Sequence, residues 1–471
     1  GTNRNPEALA LDEAKAAGKR ITTATLVAGP VPIGPVRTNS WKPIGPAGMR
    51  RGQTFTRPLM SGRAPDVAIA PDGRRVYLAT ANAGVWRTDD RGESWIPLMR
   101  GFDLNPVGIA PGNANSDGVD TLAIGAVAID EGNPDRVYVG TGEAIHGYLG
   151  LGPLVSDDGG KSWRREEVVG GNLLGQGFYA LAVDPANPER VVAATIQGLY
   201  RREPVAAGSS LYHWVRKTSA PLAGNRYTSV VAVRSGGQTH FFAARFGGFL
   251  YESTDGHTWT AIPGYPTGGA NRVLLAAQRG NPNVLYVYNQ SGNLHRITRN
   301  NAAAAWSAAN WQQLNGLPPA GGAPAGTAEL PTNQLWYDMG LAVAPGDVNV
   351  VFIASSTTNA NPDQVWSGAI FRLDIDDAKV SNNVTNTTYI GNSVHPDIHR
   401  IRFRPGSERE LWVGCDGGIF YAADAFADGD HVFVHRNTGI QSLETQYLGV
   451  HPRSEAVLFA GTQDNGGIRY T

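Results

Sequence analysis

One strand pair recurs eight times along this chain, at residues 66–80, 126–141, 180–195, 230–245, 273–288, 341–355, 401–415 and 448–462. Each copy runs an apolar strand into a Pro/Asn/Gly turn and returns along a second apolar strand ending in a small residue. A pair this short cannot bury a face alone, so every copy must pack against its neighbours. Several units continue into a second hairpin, giving a repeat of roughly forty to fifty residues. The closed solution for such a repeat is a ring of four-stranded sheets. The expected fold is therefore all-β: a single β-propeller of four-stranded blades, eight in number, over residues 40–471.

The second hairpins carry a common turn. Thr88, Asp90, Gly92, Ser94 and Trp95 follow the pattern Ser/Thr-x-Asp-x-Gly-x-Ser/Thr-Trp, as do Ser156, Asp158, Gly160, Ser162 and Trp163. A third copy, from Ser253 through Asp255 to Trp259, is one residue shorter. The Asp carboxylate can accept hydrogen bonds from its own turn, Gly allows positive φ, and Trp can fill the space between sheets. These aspartates are therefore read as folding devices rather than catalysts.

Composition agrees with many short strands. Hydrophobic residues make up 41% and charged residues 17%, with 59 Gly and 30 Pro. A net charge of −1 gives no global field toward nucleic acid or an anionic membrane. No apolar run approaches the ~20 residues of a membrane span. Cys415, the one cysteine, excludes an intrachain disulfide and is read as a small buried hydrophobe at a strand end. Residues 6–19 are the one convincing helix, and with the Pro/Gly-rich linker after it they form an extension over residues 1–39. The last unit lacks a fourth strand, which Trp41 to Ile44 would supply by closing the ring; a longer parent chain is the rival explanation.

In an antiparallel pair, the start of the first strand and the end of the second share an edge, so these positions converge on one mouth of the channel. The candidates there are Asp397, His399, Asp416 and Asp464 as catalytic groups, beside His395. Glu143, His146, Arg245, Glu444, Tyr447, Gln463 and Asn465 are expected to bind ligand at the same mouth. Paired carboxylates suit glycoside hydrolysis, and His with carboxylates suits a divalent metal. The bland alternative is that Asp416 and Asp464 cap Gly-rich turns while the histidines pair with backbone.

Asn113, Asn115, Asp117 and Asp120 follow a calcium-loop pattern, so calcium is the ion this loop would take, although Ile124 stands where the bidentate Glu of such loops belongs. A polar surface loop is the competing reading. Asn383 and Asn386 begin glycosylation triplets in what reads as a polar loop.

The phrases RTDDRGESW, VYVGTGE, DIHRIRF, LWVGCDGGIF and FAGTQDNGG resemble the Asp-box (BNR) propeller superfamily, with its sortilin-like, xyloglucanase-like and sialidase-like secreted bacterial members. The resemblance spans residues 40–471 and implies a secreted or periplasmic protein. In xyloglucanases it implies a catalytic Asp at the second-strand turn of the first blade, where this chain has Ala81, Asn82, Ala83 and Gly84. The arginine triad of sialidases has no counterpart. The leading expectation is thus an extracytoplasmic binding or assembly propeller for a glycan or polypeptide. A glycoside hydrolase or lyase and a subunit of a larger assembly held by the N-terminal extension are the alternatives.

Overall fold

A computed structural model describes residues 48–471 except 51–53, 55, 100–121, 267–270, 322, 325, 359–365, 380, 382, 428, 430, 431 and 471. The expected helix, the closing strand at Trp41 to Ile44 and the calcium-loop residues lie outside the described residues. Within them, 32 strands form eight antiparallel-based sheets, built successively along the chain. Six have four strands. The third gains a fifth, the parallel strand Glu167–Val169, and the eighth has three.

The innermost strands of seven sheets make a closed succession. Asp66–Ile69 meets Ile124–Asp130, which meets Phe178–Asp184, and the series continues through Tyr227–Ser235, Val273–Ala276 and Gly340–Val343 to Ile398–Phe403, which packs back on Asp66–Ile69. Residues from all seven line one central channel of about 640 Å³, with Ala68, Leu181, Val230, Leu274, Leu341 and Ile401 in its wall. Alternating apolar positions on both faces of each sheet bury against the next sheet, since a lone sheet of this size has no core of its own.

The three turn tryptophans sit in these seams. Trp163 packs with Tyr77 and Ala79 of the preceding sheet, and Trp259 with Val192 and Ala194. Trp95 joins Trp412, Ile419 and Tyr421 of the seventh sheet, and its indole donates to Arg436 O at 2.7 Å. In each turn the aspartate holds the loop: Asp90 Oδ1 accepts from Ser94 N at 2.9 Å, and Asp158 Oδ1 from Ser162 N at 2.9 Å. Asp255 Oδ1 accepts from both His257 N and Thr258 N at 2.7 Å.

Where eight blades were expected in one ring, the described residues put seven inner strands in the closed succession, with the seventh sheet against the first. Ala64 N bonds to Cys415 O, Ser61 N bonds to Gly417 O, and Arg402 pairs with Asp66 at 3.0 Å. The eighth sheet, Thr445–His451, Ser454–Thr462 and Gly466–Tyr470, stands outside the ring, and its first strand is exposed throughout. Its repeat resembles the others, but a repeat encodes a blade, not the number that closes. Asn383 is a second correction: it is fully buried and donates to Gln313 O, so the folded protein hides this acceptor side chain.

Replacing Trp95 by Ala opens the closing seam and strands the Arg436 carbonyl. The expected loss is about 3–5 kcal/mol, read as a lowered urea midpoint with the unfolding slope unchanged.

Candidate functional site

The edge where inner strands begin and second strands end carries a cluster of polar side chains. Tyr337 and Asp338 stand just before the sixth inner strand, and Asp397 just before the seventh, in which His399 lies. Asp416 follows Leu411–Cys415 at the turn into Gly418–Ala422. Arg63 leads into the first sheet, and Glu143 to Tyr148 follow the second strand of the second. The eighth sheet sends Glu444 from before its first strand and Gln463 to Asn465 from its last turn. Gly417 and Gly418 permit this closeness, since a Cβ at Gly417 would lie 2.4 Å from His395 and one at Gly418 would lie 2.1 Å from Ser61 Oγ.

Asp416 is the hub. His399 Nε2 stands 2.6 Å from its Oδ1, Tyr337 Oη donates to its Oδ2 at 2.6 Å, and Gln463 Nε2 donates to Oδ2 at 3.2 Å. Arg63 donates to Tyr337 Oη at 2.8 Å and to Glu444 at 3.1 Å, while Tyr148 Oη donates to Glu444 Oε2 at 3.1 Å. A chain of bonds therefore runs from the seventh sheet through the sixth and first to the segment leading into the eighth. One oxygen from each of Asp397, Asp416 and Asp464 lies within 4.8 Å of the others. Asp397 and Asp464 hold φ of 64° and 56°, a left-handed backbone that is strained for a residue with a side chain.

Burial divides the cluster into a floor and a rim. Asp338, His395, His399, Asp416, Tyr337 and Arg63 are buried, while Asp397, Asp464, Gln463, Tyr148 and Glu444 are half-buried and His146 and Trp336 are exposed. His146 stacks on Tyr148 with ring centres 5.9 Å apart and meets Tyr337 edge-on at 4.6 Å.

Burial also governs protonation. It pushes the Asp338 and Asp416 carboxyls well above the carboxylate range, and burial with the neighbouring Asp416 charge lifts Asp397 to about 7. It lowers His146 to about 4, helped by Arg63, and His395 to about 4. His399 lies well below the usual imidazole range through burial and Arg63. Burial, partly offset by Arg63 and the Tyr148 hydroxyl, raises the Glu444 carboxyl.

The structure thus brings together Asp397, His399, Asp416, Asp464, His146, Glu444 and Gln463. Glu143 lies beside them with its carboxylate spent on Ile145 N and His146 N, and Asn465 is buried, donating to Gln463 O and Ser61 O. Two expected members are elsewhere. Arg245 stacks on Phe249 and donates to Ala223 O in the fourth sheet, and Tyr447 is 77% exposed on the eighth. Tyr447 misses the mouth because its strand never enters the ring. Arg63, Tyr148, Tyr337 and Asp338 join the cluster without having been expected there, although the last two precede an inner strand as His395 and Asp397 do.

No protein-family model matches the chain. Over 226 residues, 41% of the chain, it is 32% identical to a xyloglucanase from a Paenibacillus species, of which the match covers 20%. Over 229 residues it is 25% identical to xyloglucanase Xgh74A of Acetivibrio thermocellus, covering 24% of that enzyme. Among solved structures, the Niastella koreensis GH74 enzyme superposes with a TM-score of 0.58 at 18% identity, over 89% of this chain and 60% of that one. The Xanthomonas campestris GH74 xyloglucanase gives 0.57 at 16% identity, over 89% and 59%. The fold is a β-propeller. The match spans a quarter or less of each curated relative and about 60% of each solved one. Among the described residues, no helix is long and apolar enough to cross a membrane.

Arg63→Met would leave the Glu444 carboxylate, 8% exposed, without its cation. Breaking one side of such a buried pair costs about 3–5 kcal/mol. The check is urea unfolding of this variant beside Arg63→Lys, which keeps the charge and recovers part of the loss.

Proposed function

We propose that the protein is a glycoside hydrolase that receives a glycan at this mouth and works outside the cytoplasm, with Glu444 as its proton donor. The observation carrying this reading is the placement of Glu444: a carboxyl of raised proton affinity, its side chain 8% exposed, held by Tyr148 and Arg63 beside a rim that presents Trp336 and the stacked His146 and Tyr148. The glycosidic bond breaks as its leaving oxygen is protonated and as water, giving its proton to a second carboxylate, bonds to the anomeric carbon, so the acid must hold its proton near working pH and still reach the substrate. Asp416 also keeps its proton, but its side chain and that of His399 are only 2% exposed, less than Glu444. The 32% identity to a xyloglucanase supports a β-glucan of the xyloglucan kind as the substrate class. The turns at Asp90, Asp158 and Asp255 support membership of the Asp-box propellers.

A second reading has one specific observation behind it. The first-sheet turn from Ala81 to Gly84 carries no carboxylate, as a propeller that binds a glycan or polypeptide without cleaving it would allow.

Incubation with xyloglucan and other soluble β-glucans, followed by reducing-end release, separates the two. Glu444→Gln is expected to lower kcat by about a hundredfold or more, and Trp336→Ala to raise KM with kcat little changed. Binding without turnover by the unaltered protein would leave the binding reading standing. Neither binding nor turnover would sink both.

A further inference from the structure

The mouth is divided by charge. Its carboxyls come from the sixth, seventh and eighth sheets, whereas the turns of the third, fourth and fifth bring Gln197, Arg226, Arg245, Asn271 and Gln290 to the same edge. Three arginines gather on this second side around the segment 223–226. Arg216 donates to Asn225 Oδ1 from one flank, Arg245 donates to Ala223 O at 2.9 Å from the other, and Arg226 ends the segment. Elsewhere in the sheets the arginines are neutralised, as Arg63, Arg202 and Arg299 are by glutamates. Arg216, Arg226 and Arg245 have no ion pair among the described residues.

These cations are held in place. The Arg245 guanidinium lies 3.8 Å from the centre of the Phe249 ring, and that of Arg226 lies 4.9 Å from the centre of Phe246. Arg226 holds a left-handed φ of 55°, fixed because its N donates to Ile196 O and its O accepts from Phe246 N, both at 2.8 Å. Its side chain is exposed and makes no hydrogen bond among the described residues. Phe249 is 49% exposed, so the stack leaves aromatic surface open beside the charge. The charge also reaches the channel: burial raises the pKa of the Tyr179 hydroxyl, and Arg272 and Arg226 pull it back, Tyr179 being the second residue of the inner strand Phe178–Asp184. An ordered, accessible guanidinium loses little freedom on binding and matches a carboxylate with two parallel N–H groups.

We propose that Arg216, Arg226 and Arg245, with Phe249, form a subsite for an acidic sugar unit, a glycan ring bearing a carboxylate, across the mouth from Glu444. Arg226 and Arg245 take the carboxylate, Arg216 adds to the local positive field, and the apolar face of the sugar ring packs on the open part of Phe249. The amides of Gln197 and Asn271 are neutral groups that can bond sugar hydroxyls without opposing the charge. The two halves of the mouth then set direction. Carboxyls of the sixth to eighth sheets repel an acidic unit and the third and fourth sheets attract it, so a glycan with one acidic end lies with that end on the fourth sheet. This inference goes beyond the hydrolase reading and does not need it, since it concerns what the mouth holds and not what it cleaves.

The test is calorimetric titration of the whole chain with tetragalacturonate, with its methyl ester and with tetra-aspartate, at one ionic strength. The acid is expected to bind about tenfold or more tightly than the ester, which keeps the rings and loses the charge. Tetra-aspartate, which keeps the charge and loses the rings, should bind more weakly than the acid. Arg226→Asn and Arg245→Gln should each weaken binding of the acid about tenfold and leave the ester little changed; Phe249→Ala should weaken both. Asn tolerates positive φ, so Arg226→Asn keeps its backbone geometry. Absence of saturable binding of the acid to the folded parent overturns the proposal, as does equal affinity for the ester or for tetra-aspartate, or unchanged affinity in Arg226→Asn. If Arg245→Gln does not fold, Arg226→Asn, at an exposed position, decides the matter. Binding is read without turnover, so a parent that cleaves no glucan is tested equally well.

Discussion

The packing of each sheet's face on its neighbour is the interaction on which everything else depends. A four-stranded sheet of this size has two apolar faces and no interior, so it is stable only between two others. Closure therefore has to be complete, and the seam between the last and first sheets is where it is decided. Here Trp95 from the first sheet is laid against Trp412 and Tyr421 of the seventh, while backbone bonds from Ser61 and Ala64 lock the top of the same seam. Seven sheets satisfy the geometry, and the eighth is excluded from the ring.

The same closure makes the polar mouth. Because every unit begins its inner strand at one edge, side chains encoded far apart in sequence arrive together: Arg63 meets Tyr337, and Glu444 meets both Arg63 and Tyr148. Arg400 even reaches Tyr179 O at 3.1 Å, bridging from the seventh sheet to the third beneath the cluster. Burying so many ionisable groups is expensive, and the cost is offset by pairing and proton retention. The floor and the rim then have separate duties. Buried carboxyls join units, and the accessible rim is left for a ligand.

How much of this was legible in the sequence follows from which features are local. The strand pairs and the Asp turns are local, so the architecture and the roles of Asp90, Asp158 and Asp255 could be read directly. The mouth was legible too, because strand direction alone places Asp397, His399, Asp416, Asp464 and Glu444 at one edge. Ring number was not, since it depends on the angle between packed sheets, which no single repeat records. That one unknown accounts for Tyr447: given an eighth blade in the ring, its side chain belongs at the mouth, and outside the ring it faces solvent. Tyr337 and Asp338 were missed for a different reason, that their unit has an irregular approach from Gly316 to Leu335 that hides the position just before the strand.

Amide hydrogen exchange of the intact chain tests the central claim, a ring of seven closed between its first and seventh sheets with an eighth sheet outside it. The account predicts slow exchange, at closely similar rates, for Asp66–Ile69 and Ile398–Phe403, with much faster exchange across Thr445–His451. Protection of Thr445–His451 equal to that of the seven inner strands would contradict it, because only a blade seated within the ring would be shielded on both faces.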